Sequence, residues 1–127
     1  MTWINFAAVG AGAACGAWLR WGLSVALNPV FPTLPLGTLL ANLTGGLIIG
    51  VVMGLAGPMH LGTLPRLLLV TGFLGGLTTF STFSAESVNL LLKGQYLWGA
   101  LLVLAHLAGS LLLTAGGVLI ARGLILR

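Results

Sequence analysis

Thr79, Ser81, Thr82 and Ser84 set four hydroxyl groups in six consecutive residues, interleaved with Phe80 and Phe83 and followed by Glu86, the only acidic residue in the chain. Hydroxyls stand in for water as hydrogen-bond donors, and a phenyl ring is positive at its edge and negative at its face. The set is compatible with a small ion that gives up its hydration shell and is released again. These residue types do not choose among small ions. Just ahead, Gly75-Gly76-Leu77-Thr78-Thr79 is a poor helix centre, because paired glycines and β-branched threonines both disfavour helix. A break over Gly75 to Thr78 frees carbonyl oxygens that suit a cation, and a half-helix starting near Thr79 aims its positive end towards that break. Glu86 is the awkward member, since an acid beside an anion route repels. It belongs at a mouth, in protonated form, or bonded to backbone.

Three further rows of residues follow the i, i+4 spacing of a helix face. Thr38, Asn42, Gly46, Gly50 and Gly54 form one. Its glycines read as a seam for close helix packing, whereas a buried Asn42 amide needs partners, as interhelical glue or as a donor to an ion. His106, Ser110 and Thr114 form a second stripe, about 12 Å long. It is either a polar track or a set of hydroxyls bonded back to their own i−4 carbonyls, and His106 alone is more readily structural than a ligand. Gly12, Gly16 and Arg20 form the third, with Arg20 as a helix-end anchor or an attractor in a vestibule, since an unpaired charge at mid-bilayer is costly. Nothing here supports an enzyme, for there is neither a nucleophile–base pair nor a metal-ligand set, and His60 falls in a loop. Cys15 is the only cysteine, so an internal disulfide is excluded.

The elements that hold these residues must lie in a membrane. The chain has 127 residues, 58% hydrophobic and 5% charged, against about a quarter charged in soluble domains. Crossing a bilayer core takes roughly 20 helical residues, and runs such as LLVLAHLAGSLLL do not alternate as barrel strands do. A single domain of four spans is expected, at residues 4–27, 37–56, 66–92 and 97–120. Pro29, Pro32 and Pro35 separate the first two, Gly57, Pro58, Gly62 and Pro65 the next, and Lys93-Gly94-Gln95 the last. The first segment lacks the charged start of a secretory signal and is read as a retained helix. The third span is polar almost all round its axis, so no broad sector can face lipid. Three neighbours from one small chain can hardly enclose it, so a homodimer or higher oligomer follows, with the third helices central. The net charge of +4 is scattered over Arg20, Arg66, Lys93, Arg122 and Arg127 against Glu86. With neither a basic cluster nor a stacking platform, nucleic acid is not a partner.

Taken together, these residues resemble the Fluc (CrcB-type) fluoride channels of bacteria over essentially the whole chain. The strongest part is Gly75-Gly76-Leu77-Thr78-Thr79-Phe80-Ser81-Thr82-Phe83-Ser84 with Glu86 following; Gly16-Ala17-Trp18-Leu19-Arg20-Trp21, and Gly37-Thr38 leading into Asn42-Leu43-Thr44-Gly45, support it. The resemblance implies passive fluoride efflux across the bacterial inner membrane, which protects the cell from fluoride toxicity. It implies an antiparallel, dual-topology homodimer with two fluoride pores, and a structural sodium ion on the two-fold axis held by the backbone carbonyls of Gly75 and Thr78. The implied pore residues are Asn42, Phe80, Phe83, Ser110 and Thr114; the remaining third-helix hydroxyls, Ser81, Thr82 and Ser84, are read as pore wall, with Arg20 and Glu86 at a mouth or vestibule. The family's tyrosine near the start of the fourth-helix track has no counterpart, Leu104 lying close to the expected place.

Two other readings compete. Small multidrug-type proton-coupled exporters also have four helices, but they carry an essential acid in the first span, and this first span has none. A structural subunit of a larger membrane assembly would use the polar third helix only for packing. An even number of spans puts Arg66, Arg122 and Arg127 on one side and Lys93 with Arg20 on the other, a bias too small to fix orientation. Cysteine tags at each terminus should therefore be labelled from both sides of intact cells, and labelling from one side alone would contradict dual insertion.

Overall fold

A computed structural model describes residues 2–55 and 61–125, and among these every regular element is helical. Ala56, Gly57, Pro58, His60 and Arg127, named above, lie outside the described residues. Helix α1 is Trp3–Leu27 and α2 is Leu36–Leu55. Helix α3 is composite, with an α-helical turn Thr63–Arg66, a π-helical stretch Leu67–Leu74 and a last turn Gly75–Leu77. Helix α4 is Phe80–Leu92 and α5 is Tyr96–Ile125. Three segments are long and apolar enough to cross a membrane: Leu36–Leu55, Thr63–Leu92 and Tyr96–Leu124, with mean hydropathy 1.9, 1.4 and 2.0. The 25 residues of α1 would reach about 37 Å at 1.5 Å per residue, but glycines, Asn5 and Arg20 leave it less apolar than these three.

The chain breaks later than the glycines suggest. Gly75 is helical, at φ −62° and ψ −36°, and so are Gly76 and Leu77. Thr78 and Thr79 are the residues that turn extended, at ψ 151° and 116°. Glycine permits a break without requiring one, whereas β-branched threonine favours extended backbone. The expected break over Gly75 to Thr78 is therefore corrected to Thr78–Thr79. The last helix also runs past its expected end at Ile120 to Ile125. Nothing in Ala121-Arg122-Gly123 stops a helix as proline would, and Ala121 is fully buried against Gly54 of α2.

The short links are built by local chemistry. Asn28 begins a 3-10 turn, Asn28–Val30, with Pro29 in its first turn. Its side chain reaches forward to α2, where Oδ1 accepts the backbone N–H of Gly37 at 2.8 Å and of Thr38 at 3.3 Å, filling two of the four open donors of that helix. Helix α4 ends in a Schellman turn. Gly94 takes φ +71°, its N–H returns to Leu91 at 2.9 Å, and that of Gln95 returns to Leu90 at 2.9 Å.

Glycine seams join the helices in pairs. Along α1, Gly12 lies against the α3 backbone at Leu68 and Phe73, and Gly16 against Phe73 and Leu77. Along α2, Gly46 and Gly50 lie against the α5 backbone at Ser110 and Thr114, and Gly54 against Val118. Lipid tails are as apolar as leucine, so packing of this closeness, not expulsion of water, holds such helices together. A Cβ at Gly50 would collide with the Thr114 backbone, whereas one at Gly10 meets nothing within 4 Å. Gly50→Leu should thus destabilise the protein by about 1–3 kcal/mol, seen as earlier thermal loss of the monodisperse peak in detergent, while Gly10→Leu leaves it in place. Equal losses would mean that the seam does not hold the pair.

Candidate functional site

The site is assembled around the two extended residues. A helix interrupted inside a membrane exposes backbone groups that must be satisfied within the protein. Asn42 of α2 meets both polar groups of Thr79: its Oδ1 accepts the Thr79 N–H at 2.7 Å, and its Nδ2 donates to the Thr79 carbonyl at 3.0 Å. The side-chain amide acts as a partner strand one residue long. The Thr79 hydroxyl then caps α4, accepting the N–H of Thr82 at 3.1 Å and lying 3.0 Å from the Thr82 hydroxyl and 3.2 Å from that of Ser81. Arg20 of α1 donates from Nε to the Gly76 carbonyl at 3.0 Å. Thr78 folds back onto the Leu74 carbonyl through both its N–H and its hydroxyl, at 3.0 and 2.9 Å.

Carbonyl oxygens of this turn lose their helical donors, those of Gly75 and Thr78 among them. In a continuous helix the Gly75 carbonyl would receive the N–H of Thr79, and the Thr78 carbonyl that of Thr82. The first of these donors is taken by Asn42 and the second by the Thr79 hydroxyl. Gly75 is also exposed, with open space where a Cβ would stand. Bare carbonyl oxygens are the ligands a hard cation prefers. Among the described residues no group of three or more His, Cys, Asp or Glu is placed to hold a metal.

Beside the break lies a groove of about 700 Å³ whose wall includes Asn42, Gly75, Thr78, Thr79, Phe80, Phe83, His106 and Ser110. Phe80 is 79% exposed, unusual for a ring at the foot of a polar helix. Its centroid is 5.5 Å from that of Phe83 at 58°, and Phe83 lies 4.7 Å from the His106 ring. The Asn42 amide is oriented by Thr79, so the atom it turns to His106, 3.1 Å from Nδ1, is a donor. Nδ1 therefore accepts, and the neutral ring carries its proton on Nε2. Buried Nε2 has no partner among the described residues.

Other residues singled out in the sequence lie elsewhere. Ser81, Thr82 and Ser84 surround the start of α4 but do not line the groove, and Ser84 returns its proton to the Phe80 carbonyl at 2.8 Å. Thr114 donates to the Gly46 carbonyl of α2 at 2.9 Å, across the glycine seam. Glu86 lines a second, smaller cavity, and Arg20 is engaged at Gly76. Sequence reasoning read Thr79 as a wall hydroxyl and the start of a half-helix and missed its capping role, although a threonine opening a polar turn is an N-cap signal. It gave Asn28 only a place in a link, because its targets lie 9 and 10 residues on.

Comparison with known proteins gives a consistent result. A family profile described as "CrcB-like protein, Camphor Resistance (CrcB)" matches residues 7–118. A protein of Nitrosospira multiformis is 58% identical over 120 residues, 92% of this chain and 92% of its own length. One of Cupriavidus taiwanensis is 58% identical over 117 residues, 91% and 92% of the two chains. One of Pseudomonas putida is 57% identical over 113 residues, 87% and 88%. Each of the three bears the name "Fluoride-specific ion channel FluC".

Replacing Asn42 tests how the break is held. Asn42→Leu should leave the N–H and C=O of Thr79 without partners, at on the order of 1–3 kcal/mol for each. Hydrogen–deuterium exchange at residues 79–82 should quicken at least tenfold. Exchange unchanged from the parent would show that the extended residues hold themselves.

Proposed function

The chain belongs to the CrcB family, and we propose that it is a fluoride-specific channel, a passive membrane pore that lets fluoride leave the cell and so relieves its toxicity. The observation that carries this reading is the meeting of Phe80, Phe83, Asn42 and Ser110 on one groove at a break in the third membrane segment. The names of the relatives then select fluoride from among small anions.

Fluoride is small and strongly hydrated, so a pore must replace its water with donors. Ser110 offers such a donor on the groove. The Asn42 amide protons are already engaged, so here Asn42 acts by holding the break in shape. Tilted phenyl rings present edges that are weakly positive, strong enough to replace part of the hydration yet weak enough to release the ion. Conduction makes and breaks no covalent bond, which agrees with the absence of a nucleophile–base pair in the sequence.

The working unit in this reading is an antiparallel homodimer, inserted in both orientations in the bacterial inner membrane, each chain contributing four spans with α1 as the least apolar. The exposed ring of Phe80 and the bare Gly75 support it, because the groove is open on that side and a second copy would close it. A sodium ion on the two-fold axis would take the Gly75 and Thr78 carbonyls of both copies, four oxygens in all. Their diverted helical donors support that assignment. Bound there, the ion would supply positive charge between the two pores and tie the copies together.

Purified protein in liposomes should release fluoride at rates far above those of a carrier while retaining chloride. Proton-coupled export of organic cations without fluoride efflux would overturn the proposal in favour of an exporter. Phe80→Ile should cut the flux at least tenfold, equivalent to about 1.4 kcal/mol of barrier, with the dimer intact by crosslinking. Unaltered flux would remove that ring from the pore.

A further inference from the structure

His106 is a buried imidazole on α5, joined to the break through the Asn42 amide. Asn42 Nδ2 has two protons. One goes to the Thr79 carbonyl at 3.0 Å and the other to His106 Nδ1 at 3.1 Å, while Oδ1 receives the Thr79 N–H at 2.7 Å. The ring contact exists only while Nδ1 keeps a lone pair. With the proton of the neutral ring on Nε2, a further proton has to arrive at Nδ1, the atom to which the amide proton already points. The imidazolium has two donors and no acceptor, so the amide N–H would then face a second N–H. Turning the amide over does not repair this, because it would set Nδ2 against the Thr79 N–H and Oδ1 against the Thr79 carbonyl. No other group takes up the load. Nε2 is buried with no partner among the described residues, and Phe83, 4.7 Å from the ring, brings neither oxygen nor nitrogen to it.

We propose that His106 is a positioning residue of the pore, which holds Asn42 and through it the extended pair Thr78–Thr79 while its ring is neutral, and releases both when Nδ1 takes up a proton. The proposal deepens the channel reading and rests on it for the effect on conduction. The ring does not need to touch the ion. It acts on the groove, whose wall includes Asn42, Thr79, Phe80 and Phe83, by fixing the side chain that satisfies the break. A proton at Nδ1 forces a choice between the ring contact and the two bonds to Thr79, and a buried charged donor left without a partner is costly. Titratable groups around the ring are few. Helix α5 packs against α2 and α4. Helix α2 carries none. Helix α4 carries Glu86, whose Oε1 accepts the Thr38 hydroxyl at 2.6 Å, and Lys93 follows its end. Helix α5 itself carries Tyr96 at its start and Arg122 in its last turn. Neither ring nitrogen meets a carboxylate, so a charged ring has no counter-ion with which to replace the lost contact.

His106→Asn separates this role from packing, since its Oδ1 can accept the same Asn42 proton and has no proton to gain. Currents across planar bilayers read fluoride alone, because hydrogen fluoride is neutral and carries none. The parent current should fall by about tenfold, the weight of one hydrogen bond, between about pH 7.5 and about pH 5, on either side of the ordinary histidine range. His106→Asn should match the parent at the higher pH and keep its current at the lower one. His106→Leu, which has no acceptor, should be slow at both. Hydrogen–deuterium exchange at residues 79–82 should follow the same order, with His106→Asn at each pH supplying the reference rate: the parent equals it at the higher pH and exchanges faster at the lower. A parent indifferent to acid in current and exchange would overturn the proposal. So would an acid response that persists in His106→Asn, since it would belong to Glu86. If the parent passes no fluoride, the channel reading falls, and the exchange comparison still decides the role of His106: faster exchange in acid in the parent alone supports it, and equal exchange in the two proteins overturns it.

Discussion

Everything at the candidate site depends on one side-chain amide. Asn42 takes both the N–H and the C=O of Thr79, and a pair of extended residues in the middle of an apolar segment becomes tolerable for that reason. A hydrocarbon environment supplies no water to rescue an unpaired peptide group. An amide offers donor and acceptor together with the spacing of a peptide, so it substitutes for the missing helical partners more completely than a serine or a carboxylate would. The same amide proton donor sets the tautomer of His106, and Thr79, once held, has its hydroxyl free to cap α4. Phe80 and Phe83 follow directly on the extended pair, and both line the groove beside it.

The glycine seams serve that arrangement at a distance. Gly12 and Gly16 bring α1 onto α3, which puts Arg20 within reach of the Gly76 carbonyl. Gly46 and Gly50 bring α2 onto α5, which puts Asn42 beside His106 and lets Thr114 reach across to Gly46. Each seam ends in a polar side chain that touches the interrupted helix or its neighbour. Close packing and polar contact are thus successive parts of the same helix face, as the i, i+4 rows in the sequence foretell.

How far the sequence discloses this can be traced residue by residue. Helix type, the apolar segments and the seams are written in hydropathy and glycine spacing, and the Lys93-Gly94-Gln95 turn is stated outright by its glycine. Asn42 is legible as a buried amide that must find partners, though not which partners, since Thr79 is 37 residues away. The two glycines draw attention from the threonines that do extend, because propensity describes what a residue permits and the tertiary partner decides what it does. His106 falls on a polar stripe in the sequence, but its proton is placed only once the Asn42 amide is oriented from the far side. Asn28 is invisible to local rules for the same reason. It caps a helix that it does not precede directly.

The open carbonyls of Gly75 and Thr78 bear on how such a protein comes into being. A copy newly released into the bilayer would carry them facing hydrocarbon, each at several kcal/mol, alongside an exposed break and an unfilled groove. In the proposed homodimer a second copy would cover them, and parting the two copies would expose them again, so that two variants synthesised at different times in one cell would remain largely unmixed.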